Sequence, residues 1–235
     1  MPEKTPTTRS ANRILSRLSQ EEFDILQPHL EAVELPVRKQ LESRNKPIEA
    51  IYFIEHGFAS VVANGTGRPI EVGIIGREGM TGLSVVMGTD RSPHETFMQV
   101  GGDGQRMSSV NLCQAVGESP ALHRHLLRYG HAFVVQTAQT VLANGRNKIE
   151  ERLARWLLMA SDRLDGDEVP LTHEFLSVML GVRRPGVTTT LDLLEKEGLV
   201  QAKRRAVVII DRKGLRKMTN GSYGAPEAEF KRLFG

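Results

Sequence analysis

Apolar residues divide the chain into stretches of different type, and the first stretch is helical. Over residues 10–30 they recur every three to five positions, as expected for short helices. Ser19 followed by Glu22 matches a capping box, in which a hydroxyl and a carboxylate accept backbone N–H groups at a helix start. We therefore predict a helix beginning after Ser19. The apolar positions are Leu15, Leu18, Phe23, Leu26 and Leu30.

From about Val33 the pattern changes to short β-favouring segments separated by turn residues. Asn64-Gly65 between two of these segments is a strong hairpin signal. Many short strands at regular spacing predict a sandwich, a barrel or a roll. The segments cover residues 50–54, 58–63, 69–75, 97–100 and 106–107.

After Pro120 the pattern becomes helical as far as Ala143, and we expect Asn144-Gly145 to break the helix. A long amphipathic helix without a neighbouring helix in sequence needs a partner for its apolar stripe. A second copy of the chain is the simplest partner, and the chain's own β-domain is the alternative. The stripe consists of Leu122, Leu126, Tyr129, Phe133, Val134, Thr137 and Val141.

A helix over residues 149–164 is followed by two shorter helices joined by a glycine turn. Thr172 is a good N-cap for the first short helix, and Gly181 suits the left-handed turn that ends it. The second runs from about Arg184 to Glu197, with Pro185 in its first turn, where a missing N–H does no harm. This arrangement matches the helix-turn-helix motif.

The second short helix has a clear inward side. At about 100° per residue, Val187, Leu191 and Leu194 fall together and are predicted to be buried. The outward side consists of Pro185, Thr189 and Lys196, flanked by Thr188 and Asp192.

Three consecutive threonines, at positions 188–190, lie inside this helix although threonine is a poor helix former. The cost is understandable if two hydroxyls meet a phosphate or a base edge, since threonine can bond to bases and its methyl can contact thymine. The alternative is that these threonines are merely exposed and tolerated.

Two β-favouring runs follow, with Lys203-Arg204-Arg205 in the turn between them. Beside a helix-turn-helix, such a hairpin forms a wing whose cations lie against the DNA backbone. Residues 183–218 hold ten basic and four acidic residues, whereas the net charge of the whole chain is only +3. A local basic excess is typical of a polyanion partner, and a solvated basic face is the alternative.

Three segments of the second half resemble the Crp/Fnr regulators: residues 151–158, 180–189 and 194–200. The resemblance extends over roughly residues 15–215. It implies an α+β fold with an N-terminal double-stranded β-roll of the cyclic-nucleotide-binding type, a long dimerisation helix and a C-terminal winged helix-turn-helix. The expected divisions are a sensor roll with N-terminal helices (1–117), the dimerisation helix (118–144) and the DNA-binding domain (145–235).

The resemblance also implies a transcription regulator that binds an inverted-repeat operator as a homodimer, with RNA polymerase as a further partner. Arg184 lies where the family has a base-contacting arginine. Pro185 replaces the family's glutamate and Thr189 replaces a second arginine, so we expect a different half-site. The predicted DNA-binding residues are Thr172, His173, Arg183, Arg184, Pro185, Thr188, Thr189, Lys203, Arg204 and Arg205.

The effector pocket implied by the resemblance lacks the residues that bind a cyclic nucleotide in the family. The family has a Gly-Glu pair, whereas here Gly82 precedes Leu83, and Arg91 is poorly placed in register for the family's phosphate-binding arginine. Thr137 is the candidate pocket residue on the long helix. Burying a phosphate without a cationic partner is costly, so we expect that cyclic AMP is not the effector.

Composition excludes several other classes. A single cysteine, Cys113, allows no disulfide framework or iron–sulfur centre within one chain, and we expect it to be buried. No nucleophile–base constellation, membrane span or secretory signal is visible, so we expect a cytoplasmic protein that is not an enzyme, with no cofactor and no metal. His123, His125 and His131 fit surface or interface positions better than a metal site, although one histidine can suffice for haem.

Two readings from other classes stay open. One is a cyclic-nucleotide-fold module that acts through a protein partner and does not read DNA. The other is an enzyme on a double-stranded β-roll, which would place several metal ligands on neighbouring strands. Only His56 and His94 lie in the predicted roll, which argues against the second.

Overall fold

A computed structural model describes residues 10–65 and 69–235. It contains an N-terminal β-roll, a long helix and a C-terminal helical domain with a small sheet. The strands are β1 (Glu31–Leu35), β2 (Gln40–Glu42), β3 (Ala50–Ile54), β4 (Phe58–Ala63), β5 (Ile70–Ile75), β6 (Glu95–Val100), β7 (Gly102–Ser108), β8 (Glu168–Pro170), β9 (Val200–Lys203) and β10 (Ala206–Ile209). The helices are α1 (Gln20–Leu26), α2 (Leu83–Val86), α3 (Ser109–Glu118), α4 (Pro120–Arg146), α5 (Ile149–Ser161), α6 (His173–Leu180), α7 (Arg184–Lys196), α8 (Arg212–Met218) and α9 (Ala225–Phe234).

The roll consists of two antiparallel sheets, in the orders β1-β7-β3 and β2-β6-β4-β5. Phe53, Phe58 and Met98 of the roll are fully buried. The predicted α+β class and the roll are therefore confirmed. The predicted capping box is also confirmed, since Glu22 N donates to Ser19 Oγ at 3.2 Å and Ser19 N donates to a Glu22 oxygen at 2.8 Å.

The long helix α4 continues past its predicted end. Asn144 and Gly145 lie inside it, and the chain leaves the helix at Asn147, whose backbone is extended. A helical Asn-Gly pair costs only about 1.5 kcal/mol relative to alanine, so a helix as long as α4 can absorb it. The expected break at Asn144-Gly145 was wrong by a few residues.

The predicted apolar stripe of α4 divides between two faces. Leu122, Leu126 and Tyr129 are buried in the chain's own core, whereas the side chains of Val134 and Val141 are 55% and 64% exposed. One face of α4 therefore packs on the chain's own core, and the other is exposed and available to a second copy of the chain.

The C-terminal helix α9 packs on α4, a contact that the sequence did not predict. The Phe230 and Phe234 rings stack with centroids 4.7 Å apart, and Phe234 lies edge-on to His125 of α4. His131 Nε2 and Glu229 Oε1 are 2.9 Å apart across the same contact. The end of the chain therefore returns to the N-terminal half of the molecule.

The expectation that Cys113 is buried was wrong. Cys113 lies on α3 and is exposed, because the buried face of that helix is formed by Leu112 and Ala115.

Candidate nucleic-acid interface

Helices α6 and α7 form the predicted helix-turn-helix. Thr172 caps α6 by accepting a hydrogen bond from Phe175 N at 3.3 Å. Gly181 ends α6 in the left-handed region, at φ +63°. Pro185 occupies the first turn of α7, as predicted. The chain can therefore turn between the two helices without a strained side-chain-bearing residue at position 181.

Helix α7 buries the side that its hydrophobic periodicity predicted. Val187, Leu191 and Leu194 are buried in the core of the C-terminal domain. The opposite face is exposed and mainly polar, with Leu193 at its edge 38% exposed, so it is open to a partner. Its exposed residues include Arg184, Pro185, Thr188, Thr189, Asp192 and Lys196.

Each of the three threonines of α7 donates its hydroxyl to the backbone carbonyl four residues earlier. The Oγ1–O distances are 3.3 Å for Thr188, 3.0 Å for Thr189 and 2.7 Å for Thr190. Such bonds satisfy a hydroxyl inside a helix. Thr188 and Thr189 are exposed and accessible to a partner, whereas Thr190 is buried.

Arg184 at the start of α7 forms an ion pair with Glu174 at the start of α6. Arg184 Nη2 and Glu174 Oε2 are 3.2 Å apart, and both side chains are 65% exposed. Arg183, the N-cap residue of α7, is exposed and makes no capping bond through its side chain. The acidic partner was missed from the sequence, because residues ten apart on two helices meet only through the geometry of the turn.

The wing consists of β9, β10 and the turn between them. Arg205 lies in that turn at φ +68°, a conformation that suits a tight hairpin. Lys203 Nζ is 2.8 Å from Glu168 Oε2 on β8, and Arg204 is exposed. Arg205 O accepts a bond from Leu171 N at 2.9 Å.

That backbone bond brings the wing beside the start of α6. A cleft of about 200 Å³ is lined by Thr172 together with Lys203, Arg204 and Arg205. The predicted DNA-binding residue Thr172 and the cations of the wing therefore lie together. His173 opens α6, and its side chain lies outside the described part of the structure.

The four candidate pocket residues, three in the roll and one on α4, do not form a cationic site. Gly82 precedes α2 in a left-handed conformation, and its N–H donates to Glu42 Oε1 at 2.5 Å. Glu42 Oε2 also accepts a bond from the Thr96 hydroxyl at 2.8 Å. The backbone N–H of Gly82, which an anionic ligand would use at this position, is therefore already bonded to a carboxylate.

Arg91 and Thr137 do not supply a positive charge beside Gly82. Arg91 is exposed and lies 3.2 Å from the carboxylate of its neighbour Asp90. Thr137 is half-buried on α4, two turns beyond Gly130, and Leu83 lies beside that glycine. Glu42 was missed from the sequence, because it belongs to a different strand, β2, and only the fold brings it to Gly82.

Over 10–65 and 69–235, no cluster of three or more His, Cys, Asp or Glu side chains could hold a metal ion. Over the same ranges, no helix combines the length and the apolar character that crossing a bilayer requires.

Comparison with known proteins agrees with this geometry. Residues 151–218 match the family model of the Crp-like helix-turn-helix domain. A search of curated proteins gives no match.

Solved structures similar to the chain include several Crp/Fnr regulators. A Crp/Fnr-family regulator from Eubacterium rectale has a TM-score of 0.69 at 17% identity, over 87% of this chain and 96% of the other. FixK2 from Bradyrhizobium japonicum has a TM-score of 0.69 at 18% identity, over 80% and 96%. A CRP-family regulator from Thermus thermophilus has a TM-score of 0.69 at 20% identity, over 82% and 99%.

The protein thus has the Crp/Fnr fold and carries a Crp-like helix-turn-helix domain at residues 151–218. It is a DNA-binding transcription regulator.

Proposed function

We propose that two copies of this chain bind an inverted-repeat operator, with one α7 helix in the major groove of each half-site. The observation that carries the proposal is the exposed polar face of α7, flanked by the cationic wing. Two-fold symmetry then requires half-sites about one helical turn, ~34 Å, apart. RNA polymerase is the expected protein partner of the bound dimer, and that expectation stays a prediction.

The second copy is proposed to bind along α4. Leu127, Val134 and Val141 are exposed at seven-residue intervals, which is the spacing of a coiled-coil seam. Helix α9 contacts α4 through His125, on the far side of the helix from Val134, and through His131, which lies one turn from Leu127 and Val134 at the border of the seam. The three seam side chains stay exposed beside α9. The seam is therefore open to a partner helix.

The predicted DNA contacts divide into two kinds. Arg184, Thr188 and Thr189 are proposed to contact base edges, because they lie on the exposed face of the recognition helix. Pro185 lies on the same face, and Arg183 borders it. The remaining predicted residues are proposed to bind phosphates: Thr172, His173, Lys203, Arg204 and Arg205.

The roll is proposed to act as a sensor that does not use cyclic AMP. The phosphate of a cyclic nucleotide at Gly82 would meet the Glu42 carboxylate in place of a cation. Like charges close together in a half-buried site are destabilising. Under this proposal residues 1–117 sense, 118–144 dimerise and 145–235 bind DNA.

Selection of bound duplexes from a random DNA pool tests the proposal. We expect an inverted repeat to emerge, and we expect neither cyclic AMP nor cyclic GMP to change its affinity. Selected sites with one unpaired half-site would overturn the symmetric dimer. A protein that enriches no sequence would favour a module that acts through a protein partner.

A further inference from the structure

The last helix, α9, follows the helix-turn-helix domain in sequence but packs against the N-terminal half of the molecule. The match to the Crp-like domain ends at residue 218, and α9 begins at Ala225. Phe234 of α9 is buried in a core cluster that it shares with Leu15 of the N-terminal segment and Leu122 of α4. The apolar side of α9 therefore completes a core that belongs to the other half of the chain.

Polar contacts hold α9 in this place as well. Arg17 Nε of the N-terminal segment donates a hydrogen bond to Phe234 O. On α4, His131 Nε2 lies 2.9 Å from Glu229 Oε1, and the His125 ring lies edge-on to Phe234 with centroids 5.2 Å apart. Because these partners belong to two separate segments, α9 cannot slide along α4 without breaking several contacts.

The segment that leads into α9 is attached to α5 of the DNA-binding domain. The buried Arg155 of α5 donates a hydrogen bond from Nε to Ser222 O at 3.0 Å. The Tyr223 hydroxyl donates to Oδ2 of Asp162, which ends α5, at 2.6 Å. Hydrogen bonds to a charged group are stronger than those between neutral groups. The DNA-binding domain therefore holds one end of the segment firmly, while the N-terminal half holds the other.

Helix α9 thereby spans the hinge between α4 and α5. The hinge consists of Asn147 and Lys148, both in extended conformation. Rotation about their backbone bonds would turn the DNA-binding domain relative to α4. Such a turn requires either that α9 leaves α4 or that its leading segment leaves α5. The Trp156–Glu71 bond attaches the same domain to the roll, so α9 is an additional restraint at a different place.

We propose that α9 is a strap that holds the DNA-binding domain at one angle to α4 and so presets the positions of the two α7 helices in the dimer. The outward face of α7 stays exposed in this position, so the strap leaves the DNA-binding face open. An inverted repeat requires both α7 helices at a fixed spacing, and a domain that must first be oriented binds more weakly. The consequence for operator binding rests on the proposed function, whereas the restraint itself does not.

Two insertions of the same sequence test the strap in the full-length protein. Gly-Ser-Gly-Ser between Tyr223 and Gly224 slackens the strap, because both attachments to α5 come before the insertion. The same insertion between Gly221 and Ser222 is the matched control, because the segment from Ser222 to α9 stays intact. Gly221 is exposed, with open space around it. Neither insertion removes a side chain, so α9 can still cover the same core.

Hydrogen exchange of the free protein measures the restraint without DNA. In the slack variant, the amides of residues 147–152, at the hinge and the first turn of α5, should exchange several-fold faster than in wild type. The control insertion should leave their exchange unchanged. Tyr223→Phe removes only the bond to Asp162 and should act in the same direction to a smaller extent, so the test stands even if an insertion disturbs folding. Equal exchange in wild type, the slack variant and Tyr223→Phe would overturn the proposal.

Operator binding measures the consequence of the restraint. The slack variant should bind the selected inverted repeat about tenfold more weakly than wild type, whereas its affinity for a duplex with one half-site should change by less than about twofold. Unchanged or tighter binding to the inverted repeat would overturn the role of the strap in DNA binding. Failure of wild type to bind any inverted repeat would instead refute the proposed function, and hydrogen exchange would still decide whether α9 restrains the domain.

Discussion

The indole of Trp156 donates a hydrogen bond to the carboxyl group of Glu71, with Nε1 and Oε1 2.6 Å apart, and this bond joins the C-terminal domain to the roll. Both residues are buried, and the Phe58 ring lies edge-on to the indole at 6.2 Å. Glu71 Oε2 is 2.5 Å from Ser60 Oγ, which is 3.0 Å from Gln99 Oε1. Ser60 can therefore donate to Gln99 while it accepts a bond from a protonated Glu71.

The stability of this interface should depend on pH. Burial raises the pKa of Glu71 from 4.5 to about 7, against smaller opposing effects of its hydrogen bonds and of Arg163 and Arg155. Folding therefore favours the protonated form, and its stabilising contribution is complete below pH 4.5 and lost as the pH rises through about 7. The difference between the two pKa values corresponds to about 3 kcal/mol in the free energy of unfolding.

Urea unfolding of wild type and Glu71→Gln at several pH values between about 5 and 8 measures this effect. Wild type should lose stability across that interval, and Glu71→Gln, which stays neutral, should lose less by about 3 kcal/mol. Glu21→Gln removes an exposed carboxylate and serves as the control. Parallel pH profiles for wild type and Glu71→Gln would rule out the assignment.

The ion pair between Glu174 and Arg184 should restrain DNA binding. Glu174→Gln frees Arg184 and removes a negative charge beside the expected groove contacts. Exposed ion pairs contribute about 0.2–1 kcal/mol, so we expect operator affinity to rise about two- to fivefold. Fluorescence anisotropy measures the change, with Glu118→Gln as a charge-matched control on α3. Weaker binding by Glu174→Gln would show that Glu174 positions Arg184 for DNA.

The wing should supply affinity and α7 should supply sequence preference. Arg204→Ala with Arg205→Asn should weaken all duplexes alike and reduce the salt slope by about 2, because two phosphate contacts are lost. Asparagine tolerates the left-handed backbone at position 205. Arg184→Ala should cost about 1–3 kcal/mol on the best site and relax preference at one or two positions. A wing variant with altered base preference would contradict this division.

The seam on α4 should be required for dimerisation. Val134→Asp with Val141→Asp puts two carboxylates per chain into the seam and should raise the dimer dissociation constant about a hundredfold or more. Both side chains are exposed in the single chain, so the folded monomer should persist. Sedimentation equilibrium measures the change, with Val110→Asp on exposed α3 as the control. An unchanged dissociation constant would place the dimer contact elsewhere.

The parts of this molecule that the sequence predicted are those governed by local rules. The 3.6-residue period determines which side of α7 is buried, so Val187, Leu191 and Leu194 were identified correctly. Gly181 and the Ser19–Glu22 capping box follow from backbone chemistry over a few residues. These features need no knowledge of the rest of the fold.

The features that escaped prediction depend on distant parts of the chain. The Glu42–Gly82 and Glu71–Trp156 bonds join residues 40 and 85 positions apart. Packing of α9 on α4 depends on the whole path of the C-terminal domain. The expected end of α4 at Asn144-Gly145 was wrong because propensity is a weak preference that a long helix overrides.

The symmetry of DNA binding tests the central claim most directly. The affinity and stoichiometry of the protein are measured on the selected inverted repeat and on the same duplex with one half-site reversed into a direct repeat. The account predicts two chains on the inverted repeat, with cooperative binding, and clearly weaker binding to the direct repeat, because a two-fold dimer can place only one α7 correctly there. Equal affinity for both duplexes, with one chain bound independently to each half-site, would contradict it.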